Sequence, residues 1–149
     1  MDTLIHAQRY HDFSYGHRVH GHESKCAHLH GHNGRVHFTV RSKEHLIPLD
    51  AVGRVMDFSA IKDRLCMWVE REWDHKFLVS SEDPIATHLK EMDPDGVVVV
   101  PFNPTAENMA QYLLEVVGPD VLIGTGVSLV QVKVEETRQC TALARSIEL

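Results

Sequence analysis

The stretch HRVHGHESKCAHLHGH, from His17 to His32, crowds six of the chain's twelve histidines around one thiol, Cys26. Neutral imidazole is a common zinc ligand, and a catalytic zinc site typically uses three protein ligands and keeps a fourth position open. The spacing of His30 and His32 puts both side chains on one face of a strand, where they can share an ion. A third ligand has to come from nearby, and His17 is the choice, because a strand ending there would lie beside the one that carries His30 and His32. His20 and His22 match the same spacing, but the composition around Glu23 marks a solvated segment, so they are read, with His28, as bystanders. Cys26 has two open roles. It could close a tetrahedral structural site as a fourth ligand. Left free beside a cation that favours its thiolate, it could instead take a proton from a carbon whose hydroxyl the metal polarises.

Two further constellations lie outside this stretch. Asp74 and His75 follow the end of a helical pattern, where the carboxylate can orient the imidazole as a second acid/base, or where both can simply face water. In SLVQVKVEE, Val130, Val132 and Val134 share one face, and Glu136 continues that row. A carboxylate there needs a cation or a donor-rich ligand such as a guanidine-like ring edge, unless the strand has already ended.

The elements that must position these groups follow from periodicity. Residues 3–14 read as a strand. Residues 35–41 alternate cleanly, with Val36, Phe38 and Val40 on one face, and that parity extended backwards puts His30 and His32 on the core side. From Asp57 to Trp73, Phe58, Ile61, Leu65, Trp68 and Val69 recur at helical spacing. Residues 80–96 are polar and turn-rich, with a short helix beginning at Asp83-Pro84, and Val97–Val100 reads as a buried strand. A second long helix starts with Thr105 as N-cap, carries Ala106, Met109, Ala110, Leu113 and Val117 as its stripe, and is predicted to stop at Gly118-Pro119. Strands over about 126–136 and 139–147 close the chain. The expected architecture is one α+β domain over 1–149, a four-stranded antiparallel sheet with two helices on one face in the order ββααββ.

Composition narrows the function classes. A net charge of -6 argues against a nucleic-acid surface. No apolar run reaches the length of a membrane span, and the N-terminus lacks a signal peptide's basic head and apolar middle, so a cytoplasmic protein is expected. Three widely spaced cysteines suggest reduced thiols, with Cys66 and Cys140 read as packing residues.

As an ordered set, F-S-Y-G-H-R through His17, C-A-H-L-H-G-H from Cys26 to His32, M-D-F-S-A-I-K at 56–62, W-D-H-K at 73–76, N-P-T-A-E-N at 103–108 and E-E-T at 135–137 resemble the 6-pyruvoyl-tetrahydropterin synthase family. Within it, the chain is most similar to the bacterial 6-carboxy-5,6,7,8-tetrahydropterin synthase branch, which feeds 7-deazaguanine (queuosine-type) biosynthesis. The resemblance implies a tunnelling fold whose subunits join sheets into a barrel as trimers or hexamers, with active sites between subunits. It implies zinc on His17, His30 and His32, Cys26 as the catalytic base, and Asp74 and His75 as an assisting acid/base pair. Glu136 would hold the pterin ring and Thr105 would lie in a segment lining its pocket. The implied substrate is 7,8-dihydroneopterin triphosphate, whose triphosphate and a two-carbon fragment, acetaldehyde, are expelled. Lys25, Arg18 and Arg35 are candidate cations for the triphosphate. The competing readings are a pyruvoyl-forming synthase, which eliminates triphosphate only, and a non-catalytic zinc-stabilised module.

Overall fold

The central hairpin sets the frame. In the computed structural model, which describes residues 3–147, strand β1 (Ala7–His17) pairs antiparallel with β2 (His30–Ser42) along its whole length, from Ala7 opposite Val40 to His17 opposite His30. The alternation read in the sequence holds, since Val36, Phe38 and Val40 are fully buried. Residues 18–29 become the hairpin connection, with a single 3-10 turn at Lys25–Ala27.

The sheet is larger than expected and mixed. Six strands lie in the order β4-β3-β1-β2-β5-β6, with β3 (Lys76–Ser80), β4 (Val97–Val100), β5 (Val127–Glu135) and β6 (Thr141–Arg145). β3 runs parallel to β1 and β4 parallel to β3, while the remaining pairs are antiparallel. This corrects the four-stranded antiparallel expectation. The excursion after the first helix is a β-α-β unit, because parallel neighbours need a crossover, and here a helix supplies it.

Helix α1 occupies 58–72 as Phe58–Ile61, a π turn at Lys62–Cys66, and Met67–Glu72. Asp57 caps it by accepting from the Ser59 N–H at 2.7 Å. Ile61, Leu65 and Val69 are buried as expected, but Phe58 is exposed. Helix α2 (Ala86–Met92) begins just after Asp83-Pro84 and packs Ala86 with Val79 and Val97 in a small cluster separate from the main core. Helix α3 occupies 106–121 and runs through the predicted stop at Gly118-Pro119. A proline normally removes a helical hydrogen bond and clashes with the preceding turn. The π turn at Leu113–Val117, closed by Gly118 N–H to the Leu113 carbonyl, widens the helix just before Pro119.

The main core lies between α1, α3 and one face of the sheet, with Phe38, Val132, Val134, Trp73, Met109 and Leu113 among its least exposed members. Cys66 belongs to it, whereas Cys140 is exposed in the β5–β6 turn and does not pack as expected. The opposite sheet face carries a polar ladder over β1, β2 and β5: Arg35 to Asp12 at 2.6 Å, His37 to Glu135 at 2.6 Å, and Gln8 to Thr39 at 2.9 Å. Among the described residues no helix is long and apolar enough to cross a membrane.

Candidate metal centre

Strand register builds the centre. His17 stands directly opposite His30, and His32, two residues on, faces the same way. The three rings lie with centroids 4.6 to 5.0 Å apart, and one nitrogen from each falls within 4.8 Å of the others. His17 is fully buried and its Nδ1 donates to the Pro104 carbonyl at 2.6 Å; His30 Nδ1 donates to the His28 carbonyl at 2.7 Å. A carbonyl can only accept, so both rings carry their proton on Nδ1 and present a bare Nε2.

The bare His17 nitrogen fits a cation, and His32, whose proton no Nδ1 partner among the described residues fixes, stands beside it. His17 Nε2 and His32 Nε2 are 3.1 Å apart. Two imidazoles on a tetrahedral zinc, with Zn–N near 2.0–2.1 Å, would hold their nitrogens about 3.3 Å apart. Glu136 Oε1 lies 3.3 Å from His17 Nε2 and 3.4 Å from His32 Nε2. At His17 a bare imidazole nitrogen and a carboxylate oxygen both accept, so a proton or a cation is needed between them. Burial pushes the His17 imidazole down to about 4, against the Pro104 hydrogen bond and with help from His30 and His32, which keeps it in the neutral form that binds metal. Burial also lowers His32, opposed by the Glu136 charge.

Glu136 sits just beyond the end of β5 and still follows the core-facing row. The row itself differs from the expected one, because a bulge where Thr39 pairs with Gln131 and Val40 with Leu129 leaves Val130 as the extra residue. Glu136 lies C-terminal to that bulge, so its parity with Val132 and Val134 is kept. The following turn is closed by Glu136 N–H to the Cys140 carbonyl at 3.1 Å, and by Thr137 Oγ1 accepting from the Gln139 and Cys140 N–H groups.

Asp74 and His75 are held as a pair. Asp74 Oδ1 accepts from the Ser14 N–H at 2.9 Å, and Asp74 Oδ2 takes the His75 Nδ1 proton at 2.7 Å. Burial opposes ionisation of Asp74, but these two hydrogen bonds outweigh it and hold the carboxyl below its usual range. His75 adopts φ +58°, an uncommon value for a residue with a side chain, and its N–H is fixed to the Ser14 carbonyl at 2.6 Å. Its ring is exposed and shares with His32 a cleft of 400 Å³. A larger cleft of 710 Å³ is lined by Asp74, His75, Glu135, Thr137 and Arg138.

Cys26 is half-buried on the 3-10 turn and lies outside the set of mutually close donors found among the described residues. His20, His22 and His28 stay outside it too, and His22 Nδ1 instead accepts from the Ser24 N–H. Thr105 is the N-cap of α3, its Oγ1 accepting from the Asn108 N–H at 3.1 Å, one residue from the carbonyl that fixes His17.

Sequence reasoning missed what holds the Cys26 connection. Val19 N–H bonds the Cys26 carbonyl at 2.8 Å, and Asn103 clamps His20 by accepting from its N–H and donating to its carbonyl. Arg18, a candidate triphosphate cation, is instead committed to the buried Asp83 through two hydrogen bonds at 2.6 and 2.8 Å. Arg35 is likewise engaged by Asp12 and lies over the Tyr10 ring. The Asn103-Pro104-Thr105 run was the available signal for the clamp, since a rigid residue before an N-cap fixes the direction of its neighbours' polar groups.

Comparison with known proteins places the chain among its relatives. The chain is 30% identical over 138 residues to the 6-carboxy-5,6,7,8-tetrahydropterin synthase of Rickettsia typhi, covering 92% of this chain and 97% of that one. It is 37% identical over 131 residues to a probable 6-carboxy-5,6,7,8-tetrahydropterin synthase of Halobacterium salinarum, covering 87% and 79%. An uncharacterized protein from Wolinella succinogenes superimposes with a TM-score of 0.81 at 25% identity, covering 97% of this chain and 99% of that one. The Caenorhabditis elegans 6-pyruvoyl tetrahydropterin synthase shares the fold, with a TM-score of 0.68 at 22% identity and 97% of each chain covered. Residues 6–146 match the 6-pyruvoyl tetrahydropterin synthase family, and the chain belongs to that family.

Proposed function

We propose that the chain is a zinc-dependent lyase that converts 7,8-dihydroneopterin triphosphate to 6-carboxy-5,6,7,8-tetrahydropterin, releasing triphosphate and acetaldehyde, in the cytoplasmic synthesis of 7-deazaguanines. The observation that carries this reading is the convergence of three imidazoles and the Glu136 carboxylate at one point of a family member. His17, His30 and His32 would hold the ion, which when bound polarises the hydroxyls of the substrate side chain. Cys26 removes a proton from the adjacent carbon. His75, with Nδ1 committed to Asp74, exchanges protons through Nε2 with the oxygens of the side chain. Glu136 accepts from the amino and ring N–H groups of the pterin and orients it, with the segment at Thr105 beside the ring.

A homo-oligomer, trimer or hexamer, completes the site. The Arg35–Asp12 pair on the second sheet face is exposed, β4 and β6 are the sheet's edges among the described residues, and the His75 side chain is 81% exposed in the protomer. The test is purified protein with its zinc quantified, incubated with 7,8-dihydroneopterin triphosphate. Acetaldehyde together with the 6-carboxy product supports the assignment. A diketo pterin without acetaldehyde reassigns the chain to pyruvoyl-forming chemistry, and no pterin product at all refutes both.

A further inference from the structure

Tyr15 poses a question that the proposed roles leave unanswered. It is 3% exposed, and its hydroxyl is buried without a hydrogen-bond partner. Leaving a buried hydroxyl unpaired is costly, so a native site that keeps one has a use for it or pairs it in another state. Its surroundings identify the use. The ring stands 5.2 Å from the His17 ring and 5.6 Å from the His32 ring, on the same face as both. It also leans across Gly34, where an added Cβ would come within 2.9 Å of Tyr15 Cε1 and 3.3 Å of the Glu135 carbonyl. Gly34 is one step beyond the last registered pair, Arg35 with Glu135, so the bare backbone lets the phenol reach from β1 over β2 toward the end of β5. There the chain passes into Glu136. A phenol is protonated at neutral pH, so the hydroxyl is available there as a donor.

We propose that Tyr15 is a positioning residue of this site: its hydroxyl donates to Glu136 when that carboxylate turns from the imidazole nitrogens to a bound pterin. The proposal rests on the reading of Glu136 as the group that grips the ring. Accepting from both the amino and the ring N–H groups of a pterin takes both carboxylate oxygens, so Oε1 has to leave the two imidazole nitrogens it now lies within 3.4 Å of, and the carboxylate needs a second resting place. Tyr15 supplies the donor for it, and a carboxylate fixed by one hydrogen bond has only its remaining oxygen sites to offer the ligand.

Tyr15→Phe deletes one oxygen and leaves the ring packing intact. With zinc-loaded and zinc-stripped protein, the affinity for 7,8-dihydroneopterin is read by fluorescence titration, and turnover of the triphosphate is followed in parallel. The expected result is affinity weakened by about tenfold or more, as for loss of a hydrogen bond to a charged group, with an unchanged or higher Tm and unchanged zinc content. In a Glu136→Gln background the Tyr15→Phe effect should shrink to about twofold or less, as for loss of a weak neutral contact. Equal pterin affinity and turnover in wild type and Tyr15→Phe overturn the proposal while leaving the functional reading standing. A fall in Tm with unchanged affinity also overturns it, because the hydroxyl is then a structural group. Wild-type protein that neither binds nor converts the pterin overturns the functional reading, and this proposal with it.

Discussion

Replacing Asp83 by Asn removes the charge that anchors the Cys26 connection from below. The Asp83 side chain is fully buried and takes both Arg18 hydrogen bonds as well as the Ile85 N–H at 3.0 Å, while the Arg18 side chain is 22% exposed. Breaking a buried pair by removing one partner costs about 3–5 kcal/mol, and the partial exposure of Arg18 places this case near 3 kcal/mol. For a chain of this length, about 2–4 °C is lost per kcal/mol, so Tm should fall by about 6–12 °C. The sign with pH is fixed by the carboxyl. Burial raises the Asp83 pKa, but the Arg18 and Ile85 hydrogen bonds outweigh it and the net value lies below the ordinary 3.8. Its contribution is therefore fully present above the unfolded-state value and is lost as pH falls through the folded one, so the difference between wild type and Asp83→Asn should close only in strong acid. Differential scanning fluorimetry from pH 7 down to pH 2 reads both effects. A Tm within about 1 °C of wild type at neutral pH refutes the assignment, since a shift that small is what an exposed ion pair gives and not a buried one.

Three further outcomes follow from the site. Cys26→Ala should retain zinc and Tm but lose turnover, and loss of zinc by elemental analysis would make Cys26 a ligand instead. His17→Ala should abolish stable zinc retention through dialysis, because the remaining pair, His30 and His32, lacks the third protein ligand that such sites use; full zinc occupancy in this variant would remove His17 from the set. Light scattering on the eluted protein should give a mass that is a multiple of 16.9 kDa, and a 16.9 kDa species holding full activity would refute sites shared between subunits.

What the sequence made readable was local and periodic. His30 and His32 fall on the core face because Val36, Phe38 and Val40 set a period of two that the strand carries back to its first residue. Glu136 was found by the same logic, and it survived a bulge only because Val130 lies upstream of it. The third candidate ligand needed only that two adjacent strands pair at their ends, which His17 and His30 do. Strand β3 escaped notice because five residues after a helix end carry no periodicity of their own, and its parallel partners, β1 and β4, lie far off in sequence. The Arg18 ion pair left no local signal for the same kind of reason: Arg18 reads as a candidate cation next to His17, and its partner Asp83 lies 65 residues away. That distance links two features that looked unrelated. The excursion over 80–100 reads in sequence as an ornament, yet Asp83 at its start holds Arg18, and Arg18 precedes the Val19 N–H that bonds the Cys26 carbonyl. Asn103, just past its end, fixes His20 on the same connection. The β-α-β unit therefore bounds and anchors the segment that carries the thiol. A chain lacking it would need another way to hold the segment that carries Cys26.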